Sequence, residues 1–567
     1  MRLARSTVPL ARYAPGVAIL VLTGPLVFGL AGTMLPAFGV LPVLGGMELT
    51  LSHFSALFAT PGIWRSAISS VLIGLVTTLV ALGFTALFVA GYLGHPAFSR
   101  VRRLISPLLA VPHAAAAFGL AFLIAPSGFL IRLAAPIVPG LDRPPDLLIV
   151  HDPMGLAMMA GLIVKEIPFL LLVALAALPQ TGHAGAMRLA RSFGYGRVAG
   201  FFYFVWPKLY GQIRLAVIAV IAYSTSVVDV AVILGPQLPA TLPVRLTEWM
   251  NDPELSMRHL ASAGAVLQLA ATLAAILVWL GLERLGATLV ASLRDRGRRL
   301  ARDRWLRRTA LAAMTASAAT VFAAIAILAL WSVAGLWQFP DLAPQTLTLR
   351  SWMQALPRIW PPLATTLIVA LASTGIAVVL VVLSLSRELE TGRGRGARAL
   401  FLLYLPLIVP QISFMFGLQY LAILTGVEAS LFGLVAAHLI FVLPYVFLSL
   451  SDPWRAHDRR FDAIAAGLGM SRTRALFSVR LPMLARAVLT AAAVGFAVSI
   501  GQYLPTVLIG AGRLTTLTSE AVALSSGGNR RVIGVYAFLQ TVLPFIGFAI
   551  ATALPGLLLR NRRGLTV

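Results

Sequence analysis

The sequence predicts an all-α polytopic membrane protein, with about 12 transmembrane helices in two parallel six-helix repeats. Three observations carry that prediction: the composition, the length of the apolar runs and an internal repeat. Of 567 residues, 59% are hydrophobic and 11% charged, against about 25% charged in an ordinary soluble chain. Twelve spans need roughly 240 apolar residues, and the chain holds more than that. A soluble enzyme and a disordered chain are excluded, and with no cysteine a disulfide scaffold is out of reach.

The apolar segments of the first half run over 14–40, 63–93, 104–131, 153–177, 211–233 and 259–290. Those of the second run over 309–336, 359–386, 399–425, 430–451, 487–509 and 532–559. They are too long and too apolar for core helices, and a barrel would show short alternating segments instead. No small-residue cleavage site follows a short apolar region, so the first segment reads as a retained helix.

Charge fixes the orientation. The net charge is +25, but the arginines lie in short clusters between apolar runs, a pattern for an anionic leaflet and not for nucleic acid. Only Lys165 and Lys208 are lysine, as expected of a GC-rich genome. With the N-terminus inside, 34 of the 45 basic residues fall on the cytosolic side. They include Arg2, Arg5, Arg393, Arg395, Arg560, Arg562 and Arg563, and both termini are expected in the cytosol.

The repeat appears as pairs at fixed offsets. Ile63-Trp64 answers Ile359-Trp360; Val111-Pro112 and Phe118-Gly119-Leu120 answer Val409-Pro410 and Phe416-Gly417-Leu418. Further on, Ala190, Gly194, Arg197 and Pro207 answer Ala465, Gly469, Arg472 and Pro482 at an offset of 275. The expected division is therefore a first half over 1–290, an arginine-rich linker over 291–308 and a second half over 309–567. The stretch 294–308, with eight arginines and two aspartates, reads as solvated. The offset change places about 23 extra residues in the outer loop 125–152, either a tolerated insertion or a contact for an external partner.

Each half has one cytosolic loop much longer than the others, over 178–210 and 452–486. The first contains MRLARSFGYGRVAGFFYFVWPKL and the second DAIAAGLGMSRTRALFSVRLPML. Small residues (Ala184, Gly185, Ala190; Ala463, Ala465, Ala466) let a short helix seat closely in a groove. Gly194 and Gly469 suit a helix end with positive φ. Pro207 and Pro482 suit the first turn of the next membrane helix. Two such loops on one face imply a partner with two matching grooves, most simply a cytosolic dimer.

These loops resemble the EAA coupling motif of binding-protein-dependent ABC importer permeases, E-A-A-x-x-x-G followed by hydrophobic-x-L-P. The chain is similar to the fused two-half permeases of ferric-iron, thiamine and related importers over about 64–290 and 360–559. The second copy keeps Leu481-Pro482 where the first has Trp206-Pro207. At the glutamate register stand Met187-Arg188 and Asp462-Ala463, so only Asp462 can supply an acid. The resemblance implies a transport subunit of the bacterial cytoplasmic (inner) membrane that takes up a small solute such as iron, thiamine or a polyamine. It implies a cytosolic ABC ATPase dimer engaged through Ala190, Gly194, Pro207, Asp462, Ala465, Gly469, Leu481 and Pro482. It further implies a periplasmic or lipid-anchored solute-binding protein, and ATP used by the partner subunit with no cofactor bound by this chain.

Enzyme chemistry finds no support. A Walker A loop needs Gly-Lys-Ser/Thr, and the lysines stand in Val164-Lys165-Glu166 and Pro207-Lys208-Leu209. There is no HExxH, cysteine pair or GxSxG. His113 and His438 read as polar helix contacts and not as metal ligands. Ionisable and polar groups inside the spans are the remaining signal. Asp229, Tyr223, Gln502, Tyr503 and Gln411 are candidates for the substrate pathway, with interhelical hydrogen bonding the other reading of Asp229. Lys165 and Glu166, neighbours about 100° apart on one helix, read as buried partners of other helices. The rival classes are an ion-coupled secondary transporter of two six-helix repeats and a membrane-embedded enzyme or scaffold. For the first, Gly91 to Arg103 resembles a loop motif of major facilitator proteins, but that family lacks the long duplicated loops.

Overall fold

A computed structural model describes residues 9–42, 46–391 and 397–558. The chain termini, with Arg2, Arg5, Arg560, Arg562 and Arg563, and the loop arginines Arg393 and Arg395 lie outside the described residues. Among the described residues there is no strand, only three isolated β-bridges. Ten helices are long and apolar enough to cross a membrane, and two bent helix pairs bring the number to as many as twelve.

In the first half, spans one and two are Ala14–Ala37 and Ile63–Tyr92, and spans four, five and six are Leu156–Ala177, Trp206–Ser226 and Met257–Asp295. In the second half, spans seven, eight and ten are Arg304–Val333, Arg350–Thr391 and Leu431–Ala456, and span twelve is Arg530–Leu558. The third, ninth and eleventh spans depart from the straight helices expected. The third breaks between Pro96–Ile105 and His113–Ile124. The ninth bends by 90° between residues 408 and 411, and the eleventh by 79° between 483 and 485. The breaks in spans three and nine fall at the repeated Val111-Pro112 and Val409-Pro410. Proline donates no N–H and pushes its predecessor out of the helical region, so each break has the same cause.

The halves repeat one packing scheme. Spans two, four and five pack together, as do eight, ten and eleven. Span one packs on span nine, and span seven on span three, so each half lends its first helix to the other. Glycine permits both contacts. A Cβ on Gly417 would lie 2.0 Å from the Gly29 carbonyl oxygen, and one on Gly119 2.5 Å from Ala324 Cβ. The Gly417 N–H donates to Thr33 Oγ1 at 2.9 Å. Such small-residue seams are how helices associate where lipid offers no hydrophobic drive. Leu20, Phe28, Trp64 and Leu371 remain exposed around the bundle and suit contact with acyl chains.

Two connections make contacts of their own. The segment 294–308 is no free linker: the sixth span runs to Asp295 and the seventh starts at Arg304. The short connector between them docks on the loop after span four, where Gly196 N–H donates to Arg299 O at 2.8 Å and Tyr203 O–H to Arg298 O at 3.0 Å. Its arginines signalled solvation of side chains; its backbone does the docking. The outer insertion also ties the halves. Arg132, 3% exposed, donates to Gln338 O and Asp341 O at 2.6 and 2.7 Å and lies over the Trp337 ring. Asp152 accepts from Leu156 and Ala157 N–H groups and so caps the fourth span.

Candidate functional site

Two regions concentrate the candidate residues: the pair of long loops on the arginine-rich face and a polar cluster inside the bundle. In the first loop, helix His183–Ser192 ends in a Schellman turn. Gly194 N–H donates to Arg191 O at 2.9 Å and Tyr195 N–H to Ala190 O at 3.1 Å. In the second, helix Arg459–Gly467 ends the same way. Gly469 N–H donates to Ala466 O and Met470 N–H to Ala465 O, both at 3.0 Å. Gly194 and Gly469 have φ of 75° and 76°. Ala190 and Ala465 are both buried, each under the turn that follows it. A Cβ on Gly200 would lie 2.8 Å from Ala190 Cβ, so larger groups at either place would push the loop apart.

The outward faces match as well. Leu189 and Phe193 are 58% and 59% exposed, and their register partners Ile464 and Leu468 are 60% and 73% exposed. Sequence reading passed over these four and looked to the small residues. The signal available was an apolar pair at i, i+4, the same in both copies, at the end of a short helix in a loop rich in charge.

Pro207 lies in the first turn of the fifth span. Pro482 instead lies in a separate turn, Leu481–Met483, and the span proper begins at Ala485. Asp462 does not stand free: Arg480 donates to it, and His457 Nε2 lies 3.6 Å away. Around this pair is a cleft of about 310 Å³, also lined by Glu390, Met470 and Arg472. Arg472 reaches Glu390 at 3.6 Å, near the end of span eight. Its counterpart Arg197 reaches the end of span two, donating to Gly91 O and Leu93 O at 3.2 and 3.3 Å. Burial lowers the Arg197 pKa, with Arg191 and Arg307 adding to the effect and Asp303 opposing it.

Inside the bundle, the backbone breaks bring distant residues together. His113 opens the helix after the third-span break. Its Nε2 lies 3.3 Å from Glu166 Oε1, and its ring centroid is 4.8 Å from that of Tyr223. Tyr223 is within Coulombic reach of Asp229, Glu166 and Tyr445, and Tyr503 within reach of Asp229. Of the predicted pathway residues, Asp229, Tyr223 and Tyr503 thus share one neighbourhood with His113, Glu166 and Tyr445. Gln502 stands in the turn before helix Leu504–Gly510, where its carbonyl accepts from Thr506. Gln411 opens the second piece of span nine, in the register of His113.

Lys165 turns away from that cluster. Its ammonium donates to Leu108 O and Val111 O at 3.0 and 2.5 Å, two carbonyls at the break. His438 sits between Ser499 and Thr506 at 2.8 and 3.1 Å. Among the described residues, no group of three or more His, Cys, Asp or Glu is placed to hold a metal ion.

No family model matches the chain. A protein of Escherichia coli (strain K12) named inner membrane ABC transporter permease protein YnjC is 31% identical over 506 residues, which cover 88% of this chain and 90% of that protein.

Proposed function

The chain belongs to the inner membrane ABC transporter permeases, and from that premise we propose that it is the membrane subunit of an importer, carrying a small solute inward while a separate cytosolic ATPase dimer hydrolyses ATP. It is a multi-pass transport subunit of an ABC system, and such a subunit works with an ATPase. The finer reading concerns direction, attachment and pathway.

The observation that supports this reading best is the duplicated loop helix. Each copy ends in a left-handed glycine and offers a solvent-facing apolar pair, Leu189 with Phe193 and Ile464 with Leu468. These pairs are the knobs for two grooves of the ATPase dimer, one per nucleotide-binding subunit. The arginine-rich face is then cytosolic, with both termini on that side. The opposite face receives a periplasmic or lipid-anchored binding protein that delivers iron, thiamine, a polyamine or a similar small solute. Closure of the ATPase dimer drives the halves between inward-open and outward-open states. The neighbourhood of Asp229, Tyr223 and Tyr503 lies on the path between them, with Gln411 and Gln502 in the matched breaks. The chain binds no cofactor of its own; ATP belongs to the partner.

The test is affinity purification of the full chain from its own membranes in gentle detergent, with the co-purifying chains identified and counted. A P-loop ATPase at two copies per permease, lost in the Leu189→Glu/Ile464→Glu double variant, is the expected result. Solute uptake driven by a proton gradient with no ATPase attached would replace this reading with an ion-coupled secondary transporter.

A further inference from the structure

We infer that the connector between the halves is a working part of the first docking loop, and that Asp303 is a positioning residue which supplies, from the end of that connector, a helix cap that the first loop lacks. The inference rests on the docking reading above and concerns how one of the two loops is held.

The two loops differ at one register position. After each left-handed glycine the chain enters a second short helix, Arg197–Phe204 in the first loop and Arg472–Ala475 in the second. The residue before that helix is Gly196 in the first copy and Ser471 in the second, 275 positions on. Ser471 caps its own helix, its hydroxyl accepting from Arg474 N–H at 3.2 Å. Gly196 has no side chain to do so. The acceptor comes instead from Asp303, whose Oδ2 takes the Val198 N–H at 3.0 Å. Asp303 is itself the residue that opens span seven, yet its carboxylate makes no cap bond to its own helix. Its Oδ1 is held by Arg307 at 3.0 Å, one turn along that span.

Glycine at 196 is required for this arrangement. A Cβ there would lie 2.2 Å from Leu300 O of the connector. Glycine at 91 has a matching reason, since a Cβ would lie 2.7 Å from the Arg307 side chain. The end of span two, the connector and the start of span seven therefore close around the first loop. The second loop has a cap of its own and, among the described residues, takes none from another part of the chain. Movement of span seven, which packs on span three, thereby reaches helix Arg197–Phe204 through this carboxylate as well as through the backbone bonds of the connector.

The test uses the full chain in lipid nanodiscs and reads amide hydrogen exchange over 197–204, with 472–480 as internal control. Asp303→Ala is expected to speed exchange over 197–204 roughly five-fold, the size of a lost cap, with 472–480 unmoved. Asp303→Asn is expected to stay near wild type, because its amide oxygen still accepts. Ser471→Ala is expected to give the mirror result, affecting 472–480 alone. Unchanged exchange in Asp303→Ala overturns the inference. So does an equal rise in Asp303→Asn, which would assign the effect to the ion pair. Should alanine prevent insertion, Arg307→Gln leaves the cap in place, and a five-fold rise over 197–204 in that variant overturns it. Retention of the ATPase is read on the same samples. Faster exchange with wild-type retention overturns the positioning role. Retention that survives Leu189→Glu/Ile464→Glu overturns the docking reading and leaves the cap measured on its own.

Discussion

The loop after the fourth span and the loop after the tenth share a backbone design: a short helix, a left-handed glycine, a second short helix and a proline. They are tied down by different chemistry. The first is held mainly through backbone carbonyls, Gly196 N–H donating to Arg299 O and the Arg197 guanidinium to carbonyls of span two, with the buried Asp303 beneath. The second is held by ion pairs: Arg480 with Asp462, Arg472 with Glu390, and Arg455 with Glu388 at 2.8 Å. A duplicated motif can thus keep its outward geometry while its attachments diverge. The outward apolar pairs match in the two loops; the contacts beneath them do not.

Four changes test that contrast, from the largest expected effect downward. Glutamate at Leu189 and Ile464 together removes two knobs whose burial contributes about 1.5–3 kcal/mol each. ATPase retention should fall by well over ten-fold, and a single variant at either loop should fall part way. Next is the left-handed glycine. A Cβ on Gly469 meets nothing within 4 Å, so Gly469→Ala should show only backbone strain, about 1–2 kcal/mol. Gly469→Val should be worse, because a β-branched residue at positive φ is a marked outlier. Both should lower uptake with expression unchanged, and normal uptake in Gly469→Val and Gly194→Val would remove the coupling assignment.

The third change is salt. The screening length falls from about 10 Å at 0.1 M to about 3 Å at 1 M, and the ion pairs of the second loop are partly open to solvent. Amide exchange should therefore rise over 459–483 on going from 0.1 to 1 M salt and stay nearly flat over 183–204. Equal response of the two loops would erase the distinction drawn between them. The smallest effect on the assembly is expected from Asp229→Asn. It should alter uptake while leaving ATPase retention at the wild-type level; no change in uptake would take Asp229 out of the pathway.

The membrane class, the helical spans and the register of the repeat were legible in the sequence because each rests on local or periodic features. The breaks were less so. Hydropathy runs smoothly through Val111-Pro112 and Val409-Pro410, and only the prolines marked where the helix could not continue. Phe118-Gly119-Leu120 and its copy were visible as a repeat, but their use, a close seam with the other half's first span, depends on topology. The polar neighbourhood was half visible. Asp229, Tyr223 and Tyr503 were found by polarity, whereas Tyr445 and the partnership of His113 with Glu166 join only when four separate segments meet. The connector was half visible: its arginines are solvated as read, whereas the docking is done by carbonyls and one aspartate.

The exchange of first spans has a consequence for synthesis. The glycine face of the first span, at Gly29 and Gly32, meets its final neighbour only at Gly417. At about 5–20 residues per second, the ribosome reaches that residue roughly 20–80 s after the first span has emerged. During that interval the nascent first helix stands in the bilayer with its seam uncovered. The protein's topology therefore sets a clock for its own biogenesis, in which a helix made early waits for a partner made much later.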